Sequence, residues 1–252
     1  MKLIEVKDYQ EMSQVAADYL LSKVKTSGNL TLGLATGGTP KGLYEVLIED
    51  HEQNGTSYRH VSSFNLDEYI GLPRQHPNSY YQYMNENLFK HIDIDSENTH
   101  IPSGEAADAE KESNAYEKKI RSHGGIDIQV LGIGSNGHIG FNEPGTPFES
   151  NTHVVELTQS TREANARYFE SIDEVPTHAI TMGIASIMKS REILLLVSGE
   201  AKQEALRKLV EGTISESFPA SILNHHDHVT VIADEEAFAL VKGLELANKD
   251  VK

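Results

Sequence analysis

Ile193-Leu194-Leu195-Leu196-Val197 places five apolar residues in a row, without the alternation of a strand that faces water on one side. Such a run is expected of a strand covered on both faces, as in a parallel sheet flanked by helices. Further β-type runs occupy residues 1–6, 30–35, 61–66, 126–133, 152–157, 179–182 and 228–233. Helical patterns lie between them: Leu43, Val46 and Leu47 on one face after Lys41, then Tyr80, Met84 and Leu88. Polar helices are expected at 107–121 and 161–169, an amphipathic one at 201–210, and a last helix from about Asp234. Alternating strands and helices read as βαβ units. The expected fold class is therefore α/β, a doubly wound, mostly parallel sheet with helices on both faces. With 252 residues, no internal repeat and no linker-like stretch, residues 1–252 are expected to form a single domain.

Composition removes whole classes of function. A formal net charge of −16 argues against a nucleic-acid partner, which needs a basic face. It leaves room for an anionic small ligand at a locally positive site. The absence of cysteine excludes disulfides, thiolate nucleophiles and Cys-based metal sites, and suits a reducing cytoplasm. The start of the chain reads as a short strand rather than a signal peptide, and no run approaches membrane-spanning length. No membrane partner is expected, and a homo-oligomer stays open.

Three segments carry chemistry. Thr36-Gly37-Gly38-Thr39 lies between a strand and a helix. Paired glycines let backbone N–H groups approach an anion, the helix N-terminus adds its positive dipole end, and two hydroxyls can reach the same oxygens. The alternative is a tight turn that only needs glycine. Asp67, in Asn65-Leu66-Asp67-Glu68-Tyr69, stands where a strand ends. A carboxylate held partly out of water there has a raised pKa and can act as a general base. Glu68 follows directly, so in an extended chain the two point to opposite sides. The alternative for Asp67 is a cap on the next turn.

The third segment, residues 134–144, follows the strand at 126–133 and contains Asn136, His138 and Glu143 among closely spaced glycines. His138 is the side chain there suited to moving protons near neutral pH. Glu143 could accept a hydrogen bond from one ring nitrogen while the other works on a ligand. The spacing of Gly132, Gly134 and Gly137 imitates a dinucleotide fingerprint, but no amphipathic helix is expected after it, so NAD is rejected and no cofactor is expected. Arg167 and Lys202 are cations that could complete a phosphate site, each equally readable as a solvated helix residue. His225-His226-Asp227-His228 reads as a polar turn before a strand, and no metal is expected.

Taken together, residues 33–40, Asn65-Leu66-Asp67-Glu68-Tyr69, residues 134–144 and residues 161–169 make the chain resemble the glucosamine-6-phosphate deaminases, essentially end to end. The resemblance implies a Rossmann-like sheet. It also implies conversion of glucosamine 6-phosphate and water to fructose 6-phosphate and ammonia, without a redox cofactor. On this likeness His138, assisted by Glu143 and residue 136, opens the pyranose ring, and Asp67 moves the C2 proton. The phosphate would rest on Gly37, Gly38 and Thr39, with Thr36, Arg167 and Lys202. Many family members carry aspartate where this chain has Asn136, which can orient a neighbour but cannot hold charge. The regulated hexameric relatives carry basic residues after the Glu-Pro segment, absent from residues 150–155, so hyperbolic kinetics without sugar-phosphate activation are expected.

Overall fold

The computed structural model describes residues 1–249, without the side chains of Ser160, Ala164 and residues 243–249. The last three residues of the expected 1–252 unit lie outside the described residues. Seven strands form one sheet: β1 (Lys2–Val6), β2 (Leu30–Leu34), β3 (Val61–Asn65), β5 (Thr99–His100), β6 (Ile128–Gly132), β9 (Glu192–Val197) and β10 (Val229–Asp234). Their spatial order is β1-β10-β9-β6-β2-β3-β5, and every neighbouring pair is parallel. From β2 the chain builds outward through β3 and β5. From β6 it builds the other way through β9 and β10. The reversal between β2 and β6 is the switch point beside which open α/β sheets bind ligands.

Helices cover both faces. Met12, Leu20, Leu43 and Leu47 of α1 (Tyr9–Thr26) and α2 (Lys41–Asn54) pack on Leu32, Leu34, Leu194 and Leu196. On the opposite face lie Tyr116 and Ile120 of α4 (Ala109–Ser122), Leu206 and Leu209 of α7 (Gln203–Glu211) and Phe238 of α8 (Glu235–Lys249). They meet Phe64, Leu131, Leu195 and Val231. All five residues of β2, Thr31 included, are buried, as in a strand covered on both faces. The doubly wound expectation holds. Among the described residues no helix is long and apolar enough to cross a membrane.

A second sheet goes beyond that expectation. β4 (Asp67–Tyr69), β8 (His178–Thr181) and β7 (His153–Glu156) form an antiparallel trio in the order β4-β8-β7. Asp67 is therefore not the tail of β3. The chain leaves β3 at Asn65, Leu66 bonds back to Leu34 O, and Asp67 opens β4 opposite Thr181. Other boundaries move too. The helix expected at 161–169 is α5 (Gln159–Asn165) followed by a 3-10 turn at Ala166–Tyr168. The helix expected at 201–210 begins as a 3-10 turn, Glu200–Lys202, before α7. The two remaining helices are α3 (Tyr80–Asn87) and α6 (Ile184–Ile187).

Candidate active site at the sheet switch point

The glycine loop leaves β2 and enters α2. Gly37 has φ +98°, a left-handed conformation that glycine adopts without a Cβ clash. Two phenols hold the loop by its carbonyls: Tyr83 donates to Gly37 O at 2.7 Å, and Tyr9 donates to Gly38 O at 2.9 Å. The amides of Gly37, Gly38 and Thr39 make no hydrogen bond to the described residues. Unpaired N–H groups before a helix are donors waiting for an anion.

Lys202 adds a cation. Its ammonium is half-buried without an acidic partner among the described residues, and burial lowers its pKa. The turn that carries it is fastened by Asp234 at the end of β10, which accepts from Ser198 Oγ and the Gly199 amide. Arg167 is exposed in its 3-10 turn, with the guanidinium 4.8 Å from the Tyr168 ring centroid.

Residues 133–152, after β6, contain no helix. The loop is braced by its own backbone: Gly134 N donates to His138 O, and Gly137 N to Gly134 O. It is tied to the second sheet through Phe141 N to Thr181 Oγ1 and Asn142 Nδ2 to Met182 O. The imidazole of His138 lies against Gly134 so closely that a Cβ there would sit 2.3 Å from Nδ1. Glu143 is buried behind it and accepts from Thr161 Oγ1 at 2.5 Å and Asn136 Nδ2 at 2.7 Å. Burial alone would raise the Glu143 pKa. The nearby imidazole, the Thr161 hydroxyl and the Asn136 amide outweigh it and bring the carboxyl down to about 2. The direct His138–Glu143 hydrogen bond expected from sequence is not formed. Nδ1 lies 3.6 Å from Glu143 Oε2, a distance for charge attraction. Asn136 bridges the two instead, since its Oδ1 accepts the His138 amide at 3.1 Å.

Asp67 is 6% exposed, and its carboxylate makes no hydrogen bond to the described residues. Burial, followed by the adjacent Glu68 charge, pushes its pKa up to about 8, which suits a base working near neutrality. The cap anticipated as an alternative for Asp67 belongs to its neighbour. Glu68 points the other way and accepts the amides of Tyr69, Tyr80 and Tyr81.

These groups converge on one cavity of about 340 Å³ lined by Thr36, Gly37, Gly38, Thr39, Asp67, Asn136, His138, Arg167 and Lys202. Of the residues singled out from sequence, only Glu143 stands off this wall, supporting His138 from behind. Sequence reading missed Tyr80, Phe141 and Thr161, which also line it. Tyr80 passed for a core residue by its spacing. Thr161 carried a faint signal, because Thr158 caps α5 by accepting its amide. The histidine turn is structural: His226 Nε2 meets Ser190 O at 2.8 Å. Among the described residues, no cluster of three or more His, Asp or Glu side chains could hold a metal ion. A buried free carboxylate, an imidazole backed by an ionised acid, and unpaired amides with a cation can move protons on a small anionic molecule.

Residues 7–232 match the model of the family described as glucosamine-6-phosphate isomerases/6-phosphogluconolactonase. The glucosamine-6-phosphate deaminase of Halalkalibacterium halodurans is 59% identical over 241 residues, covering 96% of this chain and 98% of the relative. Glucosamine-6-phosphate deaminase 1 of Bacillus subtilis is 54% identical, covering 95% and 99% of the two chains. The solved structure of a monomeric glucosamine-6-phosphate deaminase superposes with TM-score 0.94 at 54% identity, covering 95% of this chain and 100% of that one. The 6-phosphogluconolactonase from Trypanosoma cruzi shares the fold at TM-score 0.78 and 24% identity, covering 94% of this chain and 96% of its own. The chain is an enzyme of the glucosamine-6-phosphate isomerase/6-phosphogluconolactonase family.

Proposed function

We propose that this chain converts glucosamine 6-phosphate and water to fructose 6-phosphate and ammonia, as a step of amino-sugar catabolism in the cytoplasm. One observation carries the reading: Asp67, buried and without a hydrogen bond to the described residues, lines the same cavity as His138, with glycine-loop amides that are unpaired among those residues on its wall. In this reading the phosphate sits on the amides of Gly37, Gly38 and Thr39, with the Thr36 hydroxyl, Lys202 and Arg167 beside them. That remote grip holds the sugar in reactive alignment. His138 takes the proton from the anomeric hydroxyl and protonates the ring oxygen as the ring opens. Glu143 steadies the imidazolium, and Asn136 orients both.

Asp67 then removes the C2 proton of the open aldehyde, leaving an enolamine, and returns a proton to C1. Water adds to the resulting 2-imine, and the C2–N bond breaks to release ammonia and leave the ketose. A lactonase has no use for a base at C2, so a buried, proton-hungry Asp67 favours deamination over lactone hydrolysis. The test is ammonia release from glucosamine 6-phosphate, from unphosphorylated glucosamine, and lactone hydrolysis with 6-phosphogluconolactone. Ammonia from the phosphorylated sugar alone is the expected result. Lactone hydrolysis without ammonia release overturns the proposal.

A further inference from the structure

Glu68 is a buried carboxylate, 4% exposed, for which the reaction above has no task. Its Oε1 accepts the amides of Tyr69 at 2.8 Å and Tyr80 at 2.9 Å, and its Oε2 accepts that of Tyr81 at 2.9 Å. Tyr80 and Tyr81 are the first two residues of α3, and the third amide, of Gln82, goes to Ser79 Oγ at 3.0 Å. The otherwise orphaned donors of this helix start are thus shared between one side chain from its own N-cap and one from β4.

We propose that Glu68 is a positioning residue for Asp67 and Tyr80: its carboxylate fastens β4 to the first turn of α3 and fixes both side chains in the cavity wall. The role assigned to Asp67 rests on the deaminase reading. Tyr80 lines the cavity and stacks on Phe141, which also lines it, with ring centroids 6.1 Å apart and planes at 9°. A displaced α3 would carry that ring with it.

Electrostatics give the arrangement a second consequence. All three contacts of Glu68 come from N–H donors, so a protonated carboxyl would leave its own O–H unmatched. Burial raises the Glu68 pKa, but the three amides oppose it, whereas Asp67 has no donor among the described residues. Of two adjacent carboxyls, Glu68 therefore holds the charge and Asp67 the proton, the division by which neighbouring acids separate their pKa values. The other titratable groups facing Asp67 are the phenols of Tyr69, Tyr80 and Tyr116, all raised by burial, with His138 across the cavity. On the far side of β4, Glu68 borders a second cavity lined also by Arg74, His100, Glu112 and Lys119.

The test compares three variants. Glu68→Gln keeps an oxygen for Tyr69 and Tyr80 but removes the charge. Glu68→Asp keeps the charge and shortens the reach. Ser79→Ala loosens the same helix start without touching charge. The Asp67 carboxyl midpoint, followed by NMR, is expected to fall by about one pH unit in Glu68→Gln and to stay in place in the other two. Plateau kcat is expected to drop about tenfold in both Glu68 variants, with KM changed less than about threefold. An unmoved Asp67 midpoint in Glu68→Gln, or an equal move in Ser79→Ala, overturns the proposal. Should Glu68→Gln not fold, Glu68→Asp decides: a wild-type plateau kcat overturns the proposal and a reduced one supports it. The NMR midpoint needs no turnover, so a wild type that releases no ammonia sinks the deaminase reading while the Glu68 question is still answered.

Discussion

Thr161 Oγ1 donates to Glu143 Oε1 at 2.5 Å, tying the first turn of α5 to the loop that carries His138. The contact stabilises the ionised carboxylate, so its effect depends on pH in a defined direction. Glu143 has a lower pKa folded, about 2, than the ordinary 4.5 of a glutamate. Its contribution to stability is therefore fully present above pH 4.5 and is lost as pH falls toward 2. Thr161→Val is expected to cost about 2 kcal/mol at pH 7, roughly 4–8 °C in Tm for a chain of this size. The deficit should narrow at each step from pH 5 to pH 3, and Thr161→Ser should show little of it. Thermal melts of the three proteins across that range check the claim, and a deficit that ignores pH refutes it.

Asp67 works in the opposite sense. Its folded pKa of about 8 lies above the ordinary 3.8, so its stabilising contribution is complete below pH 3.8 and is lost as pH rises through about 8. Asp67→Asn should raise Tm by several degrees at pH 8.5 and leave it unchanged near pH 4. The same substitution should lower kcat by roughly 10²–10⁴-fold. In the wild type, kcat/KM should climb from pH 6 toward 8, because that ratio reports the free enzyme's base. Stability and rate together separate a strained base from a merely structural acid, which would lose both on substitution.

Lys202 and Arg167 are predicted to contribute unequally to phosphate binding. Lys202 is half-buried and has no acidic partner among the described residues, whereas Arg167 is exposed and screened. Lys202→Met keeps the apolar stem and removes the charge. KM for the phosphorylated sugar should rise about 10–100-fold, in line with a charge-assisted hydrogen bond. Arg167→Met should raise it only about threefold, as expected of a solvated cation. Both substitutions should leave the plateau kcat for the phosphorylated sugar within about threefold of wild type. Steady-state kinetics with glucosamine 6-phosphate checks this, and a fall in kcat as large as the rise in KM would point to a folding defect instead.

How much of this was legible in the sequence depended on the range of the interaction. The run at β9 announced the parallel sheet because a strand buried on both faces leaves an unbroken apolar stretch, and β2 and β6 followed it with one polar residue each, Thr31 and Gln129. β4 left no such trace: three residues, Asp67-Glu68-Tyr69, are too few for a period, and two of them are acids. The glycine loop, Asp67 and His138 were readable because each sits where the chain turns out of a strand. Two of the three partners of Glu68 lie 12 and 13 residues away on a different element, so only folding reveals which of the two acids caps and which stays free. The place of Glu143 behind His138 is likewise a product of Thr161, 18 residues downstream.

Gly134 offers the sharpest steric test of the His138 assignment. Its amide donates to His138 O at 2.9 Å, and the imidazole lies directly over its Cα. A Cβ would meet Nδ1 at 2.3 Å and Cε1 at 2.4 Å, far inside van der Waals contact, so the ring must swing away or the loop must shift. The backbone at Gly134 is not in the left-handed region, so alanine brings no torsional penalty of its own. Gly134→Ala should therefore fold, with Tm lowered by a few degrees, while kcat falls at least about tenfold through a displaced imidazole. Gly28→Ala, at an exposed position where a Cβ meets nothing within 4 Å, should leave both quantities unchanged. The decisive readout is the exchange of a C1 hydrogen of open-chain fructose 6-phosphate with solvent in the presence of ammonia, compared with net ammonia release from the cyclic aminosugar. Proton exchange at carbon depends on Asp67 and should survive better than ring opening, which depends on His138. Equal loss of both steps would mean that His138 does not act on the ring alone.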